Sequence, residues 1–456
     1  MTTTTKPAAQ KIPHPPKRVP ILGDVLGMDR KRPNQKTLWQ FSQLGPLYRR
    51  TFVGGVHLTF AGSADLMREV IDEKTWQRHF GRPYEKLRAI AGDGLFTAAN
   101  ESMEWKRGHE ALIDGFVPAA MADYHDAMVS VVELTSQWLG DKRTVTDTAA
   151  MMGDAALETI GLAGFGYSVG AFSEADTPGR APFADALTRV FAYVQESAIP
   201  VLGKLTGGKR ARQHAEDIEF MKRTVLDVIE TRRRTGERFP DLLDRMLHPA
   251  NGEPLPDDNI ADQVLTLFIA GHETTGNLLA FATHFLARDP ELAARVRAEA
   301  AAVTTDGRIA YEDVAKLKVT EAVISETLRL WPTAPGFFRA ARQDTTLGGY
   351  DIAAGEWVFV LLLAVHRDTD VWGPDAAEFR PDRWLADGFR PKPWMYRPFG
   401  TGPRACIGRA FALHEAKLII ASLLRDYELE SSAALDVEEN LTLRPSNLEV
   451  EFRRIG

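Results

Sequence analysis

The sequence predicts a mainly α-helical protein with small β-sheets, an α+β fold, and three observations support this. Helical hydrophobic periodicity dominates from Ser63 to about Met246. The segment from Asp258 to Arg288 predicts one helix of about 30 residues, roughly 45 Å long. Strand-like stretches are short and lie near residue 50 and after residue 345. The chain should therefore form a helical body with a few short strands added to it.

The first strands are predicted as a hairpin near the start of the chain. Leu47–Phe52 and Val56–Phe60 are rich in residues that favour strands, and Gly54 and Gly55 between them suit a tight turn. The helical region that follows is interrupted by two Gly/Pro-rich stretches, residues 164–182 and 199–208.

The long central helix has clear end signals and an apolar middle. It has an acidic start and no internal proline, and Pro290 ends it. A helix that is apolar nearly all round belongs in the interior of a protein. The apolar residues at its centre are Val264, Leu265, Leu267, Phe268, Ile269, Leu278, Leu279 and Phe281.

The last third of the chain mixes helices with strands. A second helical run ends near Leu330, before Pro332 and Pro335. Strands are predicted around residues 347–352 and 358–363. An apolar helical pattern then runs over residues 407–424.

Length and composition bound the organisation of the chain. A chain of 456 residues suggests about three domains, but no linker-like break follows residue 20 and no internal repeat is visible. We therefore predict a flexible N-terminal arm over residues 1–20 and a single domain over residues 21–456.

Charge and hydropathy indicate a cytoplasmic protein with no membrane anchor and no nucleic-acid partner. The longest apolar run, Trp357 to Val365, is far shorter than the roughly 20 residues that span a bilayer. Residues 1–20 lack the apolar stretch of a secretory signal. A single cysteine fits a reducing compartment, and a net charge of −7 argues against binding to nucleic acid.

The single cysteine, Cys406, lies in a glycine-rich loop just before the predicted helix 407–424. Backbone N–H groups at a helix start favour an anion, so this position favours a thiolate that can bind a metal. Gly402 and Gly408 would let the backbone lie close to a flat cofactor, and Arg404 could meet a carboxylate at its rim. The alternative is an inert buried cysteine, which is the commoner fate of free thiols.

The run containing Phe399, Gly402, Arg404, Cys406 and Gly408 resembles the haem-binding loop of the cytochrome P450 monooxygenases. The resemblance extends over nearly the whole chain from about residue 20 onward. It implies the fold of that family, haem b as cofactor with dioxygen as co-substrate, and the cysteine as the iron ligand. The other four residues of the run are then implied to bind the cofactor.

A second motif, residues 270–275, places a carboxylate beside a hydroxyl inside the central helix. A hydroxyl that relays protons, fed by a carboxylate, suits the activation of dioxygen, and Gly271 leaves space beside them. Thr274 can also donate back to the carbonyl of Ala270. In isolation the pattern equally fits a helix that tolerates Gly-Thr-Thr next to a surface glutamate. The resemblance to the family's oxygen-activation motif implies Thr274 as the catalytic alcohol and Glu273 as the acid.

Glu326 and Arg329 lie three residues apart on a predicted helix and can pair. Such pairs are usually solvated surface contacts. The segment 379–384 is also similar to a family element, and it would bring Arg383 to the same glutamate. The resemblance implies that these three residues form a buried structural network on the cysteine side of the haem.

Candidates for binding the haem propionates follow from the same resemblance. Trp105 and His109 lie one helical turn apart, and both can donate hydrogen bonds from one face. The alternative is a half-buried tryptophan beside a surface histidine. The resemblance implies that these two residues and Arg404 hold the propionates, with Arg339 as a weaker candidate.

The substrate pocket is predicted only by resemblance, and each of its residues also suits an ordinary core. An apolar pocket would favour a substrate with an unactivated C–H bond. The residues implied to line the pocket are Phe96, Ile269, Ala270, Ala334 and Phe337.

Several local matches are especially similar to the haem domain of bacterial fatty-acid hydroxylases fused to a diflavin reductase. They lie at residues 91–96, 269–275 and 330–335. Those enzymes anchor the fatty-acid carboxylate with an Arg and a Tyr, and Gly55 and Thr59 occupy the matching positions here. Medium- or long-chain fatty acids are therefore the first prediction, and a natural product or xenobiotic is the alternative. Residues that could replace the anchor are His57, Arg49 and Arg50.

Electrons are expected to come from NAD(P)H through another protein or domain, because nothing resembling a flavin-binding domain precedes Gly456. The predicted donor is a flavodoxin, a ferredoxin or a diflavin reductase, either separate or fused in a longer native protein. A peroxide-driven enzyme and a non-catalytic haem-thiolate sensor are the alternatives. Basic residues that would favour an acidic donor, unless they are an ordinary solvated face, are Lys392, Arg397, Arg404, Arg409 and Lys417.

Overall fold

The structure is a computed structural model that describes residues 11–24, 27–172, 182–196, 207–250 and 253–456. The first half of the predicted N-terminal arm, residues 173–181 of the first Gly/Pro-rich stretch and residues 199–206 of the second lie outside the described residues. Within the described part of the chain, helices predominate and the strands are short, which confirms the predicted α+β class.

Sixteen α-helices are assigned in the described residues. They are α1 (Pro33–Leu44), α2 (Ala64–Val70), α3 (Arg82–Ala91), α4 (Met103–Leu112), α5 (Met121–Leu139), α6 (Thr148–Phe165), α7 (Pro182–Glu196), α8 (Gly207–Thr235), α9 (Leu242–Leu247), α10 (Asp257–Arg288), α11 (Pro290–Val303), α12 (Lys318–Leu330), α13 (Leu362–Val365), α14 (Thr369–Trp372), α15 (Asp382–Leu385) and α16 (Arg409–Asp426).

The strands form one five-stranded sheet in the order β1-β2-β10-β7-β3, one three-stranded sheet in the order β11-β14-β4, and three hairpin-like pairs, β5-β6, β8-β9 and β12-β13. The strands are β1 (Leu47–Thr51), β2 (His57–Ala61), β3 (Trp76–Arg78), β4 (Lys142–Val145), β5 (Thr304–Thr305), β6 (Arg308–Ile309), β7 (Gly336–Ala341), β8 (Thr345–Leu347), β9 (Tyr350–Ile352), β10 (Trp357–Leu361), β11 (Tyr427–Glu430), β12 (Asp436–Glu439), β13 (Leu443–Ser446) and β14 (Val450–Arg454).

The described chain divides into two compact units, each made from two stretches of sequence. The first comprises the described residues up to Phe80 together with Glu326–Cys406. The second comprises the described residues of Gly81–Ser325 together with Ile407–Gly456.

The first unit is built on the five-stranded sheet. Strands β1 and β2 form an antiparallel hairpin, β10 runs parallel to β2, and β7 joins β10 to β3. One sheet face packs with α2 into an apolar core. Residues of that core include Leu47, Met67, Trp76, Val358 and Val360.

The second unit is built around α10, which packs along α6. The two helices approach closely because Gly276 meets Gly153, and a Cβ at position 276 would lie 2.6 Å from the Cα of Gly153. Helix α10 begins after Pro256 with two aspartates in its first turn, where acidic side chains interact favourably with the helix dipole. The predicted long buried helix is thus confirmed, one residue longer at its start.

The strand predictions are partly confirmed. The first hairpin forms as predicted, with its turn over Val53–Gly55. The stretch 347–352 was expected to be one strand, but it is the β8-β9 hairpin, because Gly348 and Gly349 both adopt positive φ. Strands β3, β4 and β7 lack a clear period-2 pattern, and the sequence did not indicate them.

In the described residues, no helix is both long enough and apolar enough to cross a bilayer.

Candidate active site

The loop that carries Cys406 is closed by its own backbone. The Cys406 N–H donates to the carbonyl of Phe399 over 2.8 Å, and the Ala405 N–H donates to that of Gly402 over 3.0 Å. Gly400 and Gly402 both have positive φ, at 74° and 69°, a conformation that glycine adopts without strain. The loop thereby presents the thiol of Cys406 on an exposed surface of the first unit.

Helix α16 begins directly after this loop, in the second unit. Gly408 is its N-cap residue with φ of −78°, and its carbonyl accepts from the Ala412 N–H over 2.9 Å. The order of loop, cysteine and helix start is the one that the sequence predicts.

Gly402 is needed for a reason that the sequence did not suggest. A Cβ at position 402 would lie 2.0 Å from the Oε1 atom of Glu73, so this carboxylate packs directly against the loop backbone. Glu73 in turn accepts from Nη2 of Arg339 over 2.9 Å. Arg339 is buried, and it also donates to the carbonyls of Val70 and Trp76. These contacts make Arg339 a support for the cysteine loop, and its predicted contact with a propionate stays a prediction.

Arg404 lies in a strongly cationic part of the first unit. Its guanidinium carbon lies 5.8 Å from the ring centroid of Phe80, and the guanidinium carbon of Arg78 lies 4.2 Å from the same ring. Partial burial, followed by repulsion from Arg78, lowers the pKa of Arg404 to about 10. A carboxylate beside these two groups would relieve their repulsion and partner both charges.

The residues of the first unit fit haem b on the chemistry of their donors. They offer one exposed thiol and, on the same loop, a guanidinium next to a second one, which suits iron and a carboxylated rim. Across the described chain, no cluster of three His, Cys, Asp or Glu side chains is placed to hold a metal ion by itself. A haem bound here would take a thiolate ligand from Cys406.

The three predicted network residues lie together in the first unit and are buried. Arg329 donates to both carboxylate oxygens of Glu326, over 2.7 and 2.8 Å, and Arg383 donates over 2.9 Å. The indole N–H of Trp384 and the backbone N–H of Arg380 complete the set of donors, each over 2.8 Å.

The remaining guanidinium hydrogens of Arg329 bind main-chain carbonyls. They donate to the carbonyls of His366, Ala376 and Glu378, all within 2.8 Å. Both charged side chains of the Glu326–Arg329 pair have 0% exposure, so neither charge interacts with water. The network therefore fixes the segment 366–384 to the end of α12.

The motif at residues 270–275 lies on α10 in the second unit. The Thr274 hydroxyl donates to the carbonyl of Ala270 over 2.6 Å, as the sequence predicts. Ala270 is exposed, and Ile269 and Thr274 are partly exposed, although they occupy the middle of a helix that is otherwise buried. The helix is thus partly accessible over residues 269–274, where the motif lies.

The carboxylate of Glu273 is hydrogen-bonded to a residue near the C-terminal end of the chain. Its Oε2 accepts from the Thr442 hydroxyl over 3.1 Å, and the Thr442 oxygen accepts from Nδ2 of Asn277 over 3.1 Å. Burial raises the pKa of Glu273 above its ordinary value, opposed by the Thr442 hydrogen bond and by the charge of Arg444. Glu273 is thereby poised to exchange a proton closer to neutral pH than a solvated glutamate.

The two predicted propionate donors on α4 lie side by side. The Trp105 and His109 rings have centroids 5.0 Å apart, and both side chains are partly exposed. Helix α4 starts at the Ser102 cap, whose hydroxyl accepts from the Trp105 N–H. It approaches α10 closely through Gly108, where a Cβ would lie 2.5 Å from Nε2 of Gln263.

Phe96 belongs to a loop that is tied to α10. The N–H of Leu95 donates to Oε1 of Gln263 over 2.8 Å, and the N–H of Asp93 donates to Asp262 over 3.2 Å. Gly94 lies so close to α10 that a Cβ there would meet Thr266 at 1.9 Å. Phe96 itself is half-buried, and the loop that carries it is fixed to the helix that carries Ile269 and Ala270.

The other two predicted pocket residues belong to the first unit. Ala334 is exposed, just before β7. Phe337, on β7, is half-buried and packs against the apolar core of that unit. The assignment of all five residues to a substrate pocket stays a prediction.

Comparison with known proteins gives a consistent result. A family model described as cytochrome P450 matches residues 13–452. The chain belongs to the cytochrome P450 family. Proteins of this family use haem b and dioxygen.

The curated relatives include proteins named as bifunctional cytochrome P450/reductases and as self-sufficient cytochrome P450 monooxygenases. The chain is 36% identical over 449 residues to a bifunctional cytochrome P450/NADPH–P450 reductase of Bacillus subtilis and 38% identical over 450 residues to one of Bacillus cereus. It is 34% identical over 455 residues to a self-sufficient cytochrome P450 monooxygenase of Aspergillus niger. These matches cover 96–97% of this chain but only 42–43% of each relative. The chain thus spans less than half the length of the relatives it matches.

Sequence reasoning missed several residues that shape the site. Thr442 and Asn277, which hold Glu273, are ordinary polar residues distant from each other in sequence, so no local pattern indicates them. Glu73 was missed for the same reason. Trp384 lies inside the segment that suggested Arg383, and its indole donor could have been inferred from that segment.

Replacement of Glu326 by Ala is expected to destabilise the cytochrome P450 fold of the first unit severely. It would leave the buried guanidinium of Arg329 without its carboxylate, which typically costs about 3–5 kcal/mol. Urea denaturation followed by circular dichroism would measure the loss.

The matched control is Glu321→Ala on the same helix, where the glutamate pairs with Lys318 in an exposed position. This control should change stability by less than about 1 kcal/mol. If both variants lowered the free energy of unfolding equally, the buried Glu326 network would contribute no more to stability than an exposed ion pair.

Proposed function

We propose that this chain is the haem domain of a haem-thiolate monooxygenase, formed by residues 21–456, which inserts one atom of dioxygen into a C–H bond of a hydrophobic substrate. The observation that carries the proposal is the Cys406 loop, where backbone hydrogen bonds and two left-handed glycines present an exposed thiol next to Arg404. Membership of the cytochrome P450 family supports it.

In this proposal Cys406 is the axial ligand of the haem iron. When bound, haem b supplies the iron at which dioxygen is activated. The start of α16 at Arg409, three residues after the cysteine in sequence, favours the thiolate, because the N-terminal end of a helix carries a partial positive charge. Phe399, Gly402 and Gly408 shape the loop against the cofactor.

The propionates are proposed to be held by Trp105, His109 and Arg404. The first two offer ring N–H donors from one face of α4, and the guanidinium of Arg404 offers a bidentate partner. Arg339 would act more weakly, because its guanidinium already binds Glu73 and two carbonyls.

Thr274 and Glu273 are proposed to deliver protons. The Thr274 hydroxyl can pass a proton at Oγ1, and its bond to the Ala270 carbonyl fixes where that oxygen lies. Glu273 can supply the proton, because burial raises the pKa of its carboxyl toward neutral pH. A bystander hydroxyl on a buried helix would not need an acid next to it, and this favours turnover over a non-catalytic haem-thiolate sensor or a peroxide-driven enzyme.

The substrate is proposed to be a medium- or long-chain fatty acid, with a natural product or xenobiotic as the second candidate. The residues proposed to line its pocket are Phe96, Ile269, Ala270, Ala334 and Phe337. All five are apolar. Ile269 and Ala270 precede the proposed catalytic residues on α10, and Ala334 follows α12; all three are at least partly exposed.

The three hairpin residues predicted as replacements for the carboxylate anchor already have hydrogen-bond partners. Arg49 pairs with Glu356 over 2.9 Å and donates to Thr59 over 3.0 Å. Arg50 is buried and donates to Gln40 and to a main-chain carbonyl. His57 is exposed and hydrogen-bonded to Thr51. We therefore propose that binding of a fatty acid depends mainly on its chain and little on its carboxylate.

Electrons are proposed to come from NAD(P)H through a reductase, either fused in a longer native protein or separate, such as a flavodoxin or ferredoxin system. The relatives carry a reductase in the same polypeptide, and the chain matches only their cytochrome P450 portion. A cytoplasmic location is part of the same proposal.

Replacement of Cys406 by Ser should abolish the thiolate signature of the reduced, carbon monoxide-bound protein. The hydroxyl of serine is a far poorer ligand for iron, so the Soret band should lose the strong red shift that thiolate ligation gives. Absorption spectra of haem-loaded wild type and variant measure this directly. A variant that kept the red-shifted band would remove Cys406 as the ligand.

Replacement of Thr274 by Ala should uncouple the reaction. Without the Thr274 hydroxyl, proton delivery is no longer directed by Oγ1. Reducing equivalents should then be released as hydrogen peroxide, and the amount of product formed per NADPH should fall about tenfold or more. Haem content should be unchanged. Thr283→Val is a suitable control, because that buried hydroxyl only binds the carbonyl of Leu279. Normal coupling in Thr274→Ala would contradict its assigned role.

Fatty acids and their methyl esters should bind with dissociation constants within about threefold of each other, since the hairpin cations already have partners. The haem spin-state shift on titration measures both constants. A drug-like hydrophobic panel in the same assay separates the two substrate candidates. Tight binding of the panel with no response to fatty acids would favour the second candidate.

A further inference from the structure

Glu273 is held by a directional chain of hydrogen bonds. Glu273 and Asn277 lie one turn apart on α10 and point to the same hydroxyl, that of Thr442, immediately before β13. Both distances are 3.1 Å. A residue far along the sequence thus joins an acid and an amide that occupy the same face of one helix.

The chemistry of the three groups sets the direction of the chain. The amide nitrogen of Asn277 can only donate, so the Thr442 oxygen accepts from it. The hydroxyl has one hydrogen of its own, and Oε2 of Glu273 lies in position to accept it. Thr442 is therefore oriented as a donor toward the carboxylate, which favours the ionised form of Glu273.

Burial makes this orientation effective. Asn277 is 5% exposed and Thr442 is 9% exposed, so water does not compete strongly for these bonds. The charged group that acts on Glu273 is Arg444 on β13, which is itself bound to Asp147, the N-cap residue of α6, over 2.7 Å. The hydroxyl is thus the group in direct contact that offsets the burial of the carboxylate.

We propose that Thr442, oriented by Asn277, is a positioning residue that holds the carboxyl group of Glu273 so that it can release its proton toward Thr274 and take up another. The inference rests on the proposed role of Glu273 as the acid. In this role Thr442 acts through Glu273, to which its hydroxyl donates.

The sign of the effect follows from the causes that act on the carboxyl. Burial raises the pKa of Glu273, and the Thr442 hydrogen bond lowers it. Removal of the hydroxyl therefore leaves the pKa higher. The ratio of protonated to ionised Glu273 at a given pH should rise about tenfold, which corresponds to about 1.4 kcal/mol.

The test is difference infrared spectroscopy of the full haem-loaded chain as a function of pH. The carboxyl C=O band of Glu273 is identified as the band lost in Glu273→Gln. In Thr442→Val this band should persist to higher pH than in the wild type, and in Thr442→Ser it should titrate like the wild type. Asn277→Leu should shift it in the same direction by less, because the hydroxyl stays but is no longer oriented.

Thr283→Val is the matched control, since it removes a buried hydroxyl from α10 that binds only a backbone carbonyl. It should leave the titration unchanged. An unshifted band in Thr442→Val, or an equal shift in Thr283→Val, would overturn the positioning role.

Turnover separates this inference from the proposed function. If Glu273→Gln keeps normal coupling and pH dependence, the role of Glu273 as acid fails, whatever the infrared result. If Glu273→Gln uncouples the reaction while Thr442→Val neither shifts the band nor moves the pH dependence of peroxide release, the acid role stands and the positioning role fails.

Discussion

The buried carboxylate of Glu326 is the interaction on which the first unit most depends. A fully buried charge is tolerated only when every lone pair finds a donor. Here the donors come from α12, from the backbone at Arg380 and from the side chains of Arg383 and Trp384. Because these groups are separated by more than fifty residues of sequence, satisfying one carboxylate fixes the whole irregular segment that leads to the cysteine loop.

In the second unit, the polar side chains of Glu273 and Thr274 lie within a largely apolar helix and need hydrogen-bond partners. Helix α10 is buried along most of its length, yet its centre carries an acid and a hydroxyl. The Thr274 hydroxyl donates a hydrogen bond to the carbonyl of Ala270 on the same helix. The Glu273 carboxylate relies on Thr442, so its stability and its chemistry both depend on a strand pair near the end of the chain.

The sequence was most informative where the pattern was local. The period of α10, the glycine turn of the first hairpin and the order of glycines around Cys406 all predicted what the structure contains. The contacts that join distant segments were not predictable in this way. Glu73 against Gly402 and Thr442 against Glu273 involve residue types common on any surface, and only the fold brings them together. Strand β7 escaped detection because its residues change from half-buried to buried along the strand and do not alternate between two faces.

The fit between Gly402 and Glu73 limits how the cysteine loop can vary. A methyl group at position 402 would need both a left-handed backbone and the space now filled by a carboxylate, and that carboxylate is anchored by Arg339. A substitution at position 402 alone would therefore clash with Glu73, a residue more than three hundred positions earlier in the sequence. Randomising residues 73 and 339 together with position 402 would remove the steric obstacle, whereas the left-handed backbone would still favour glycine there.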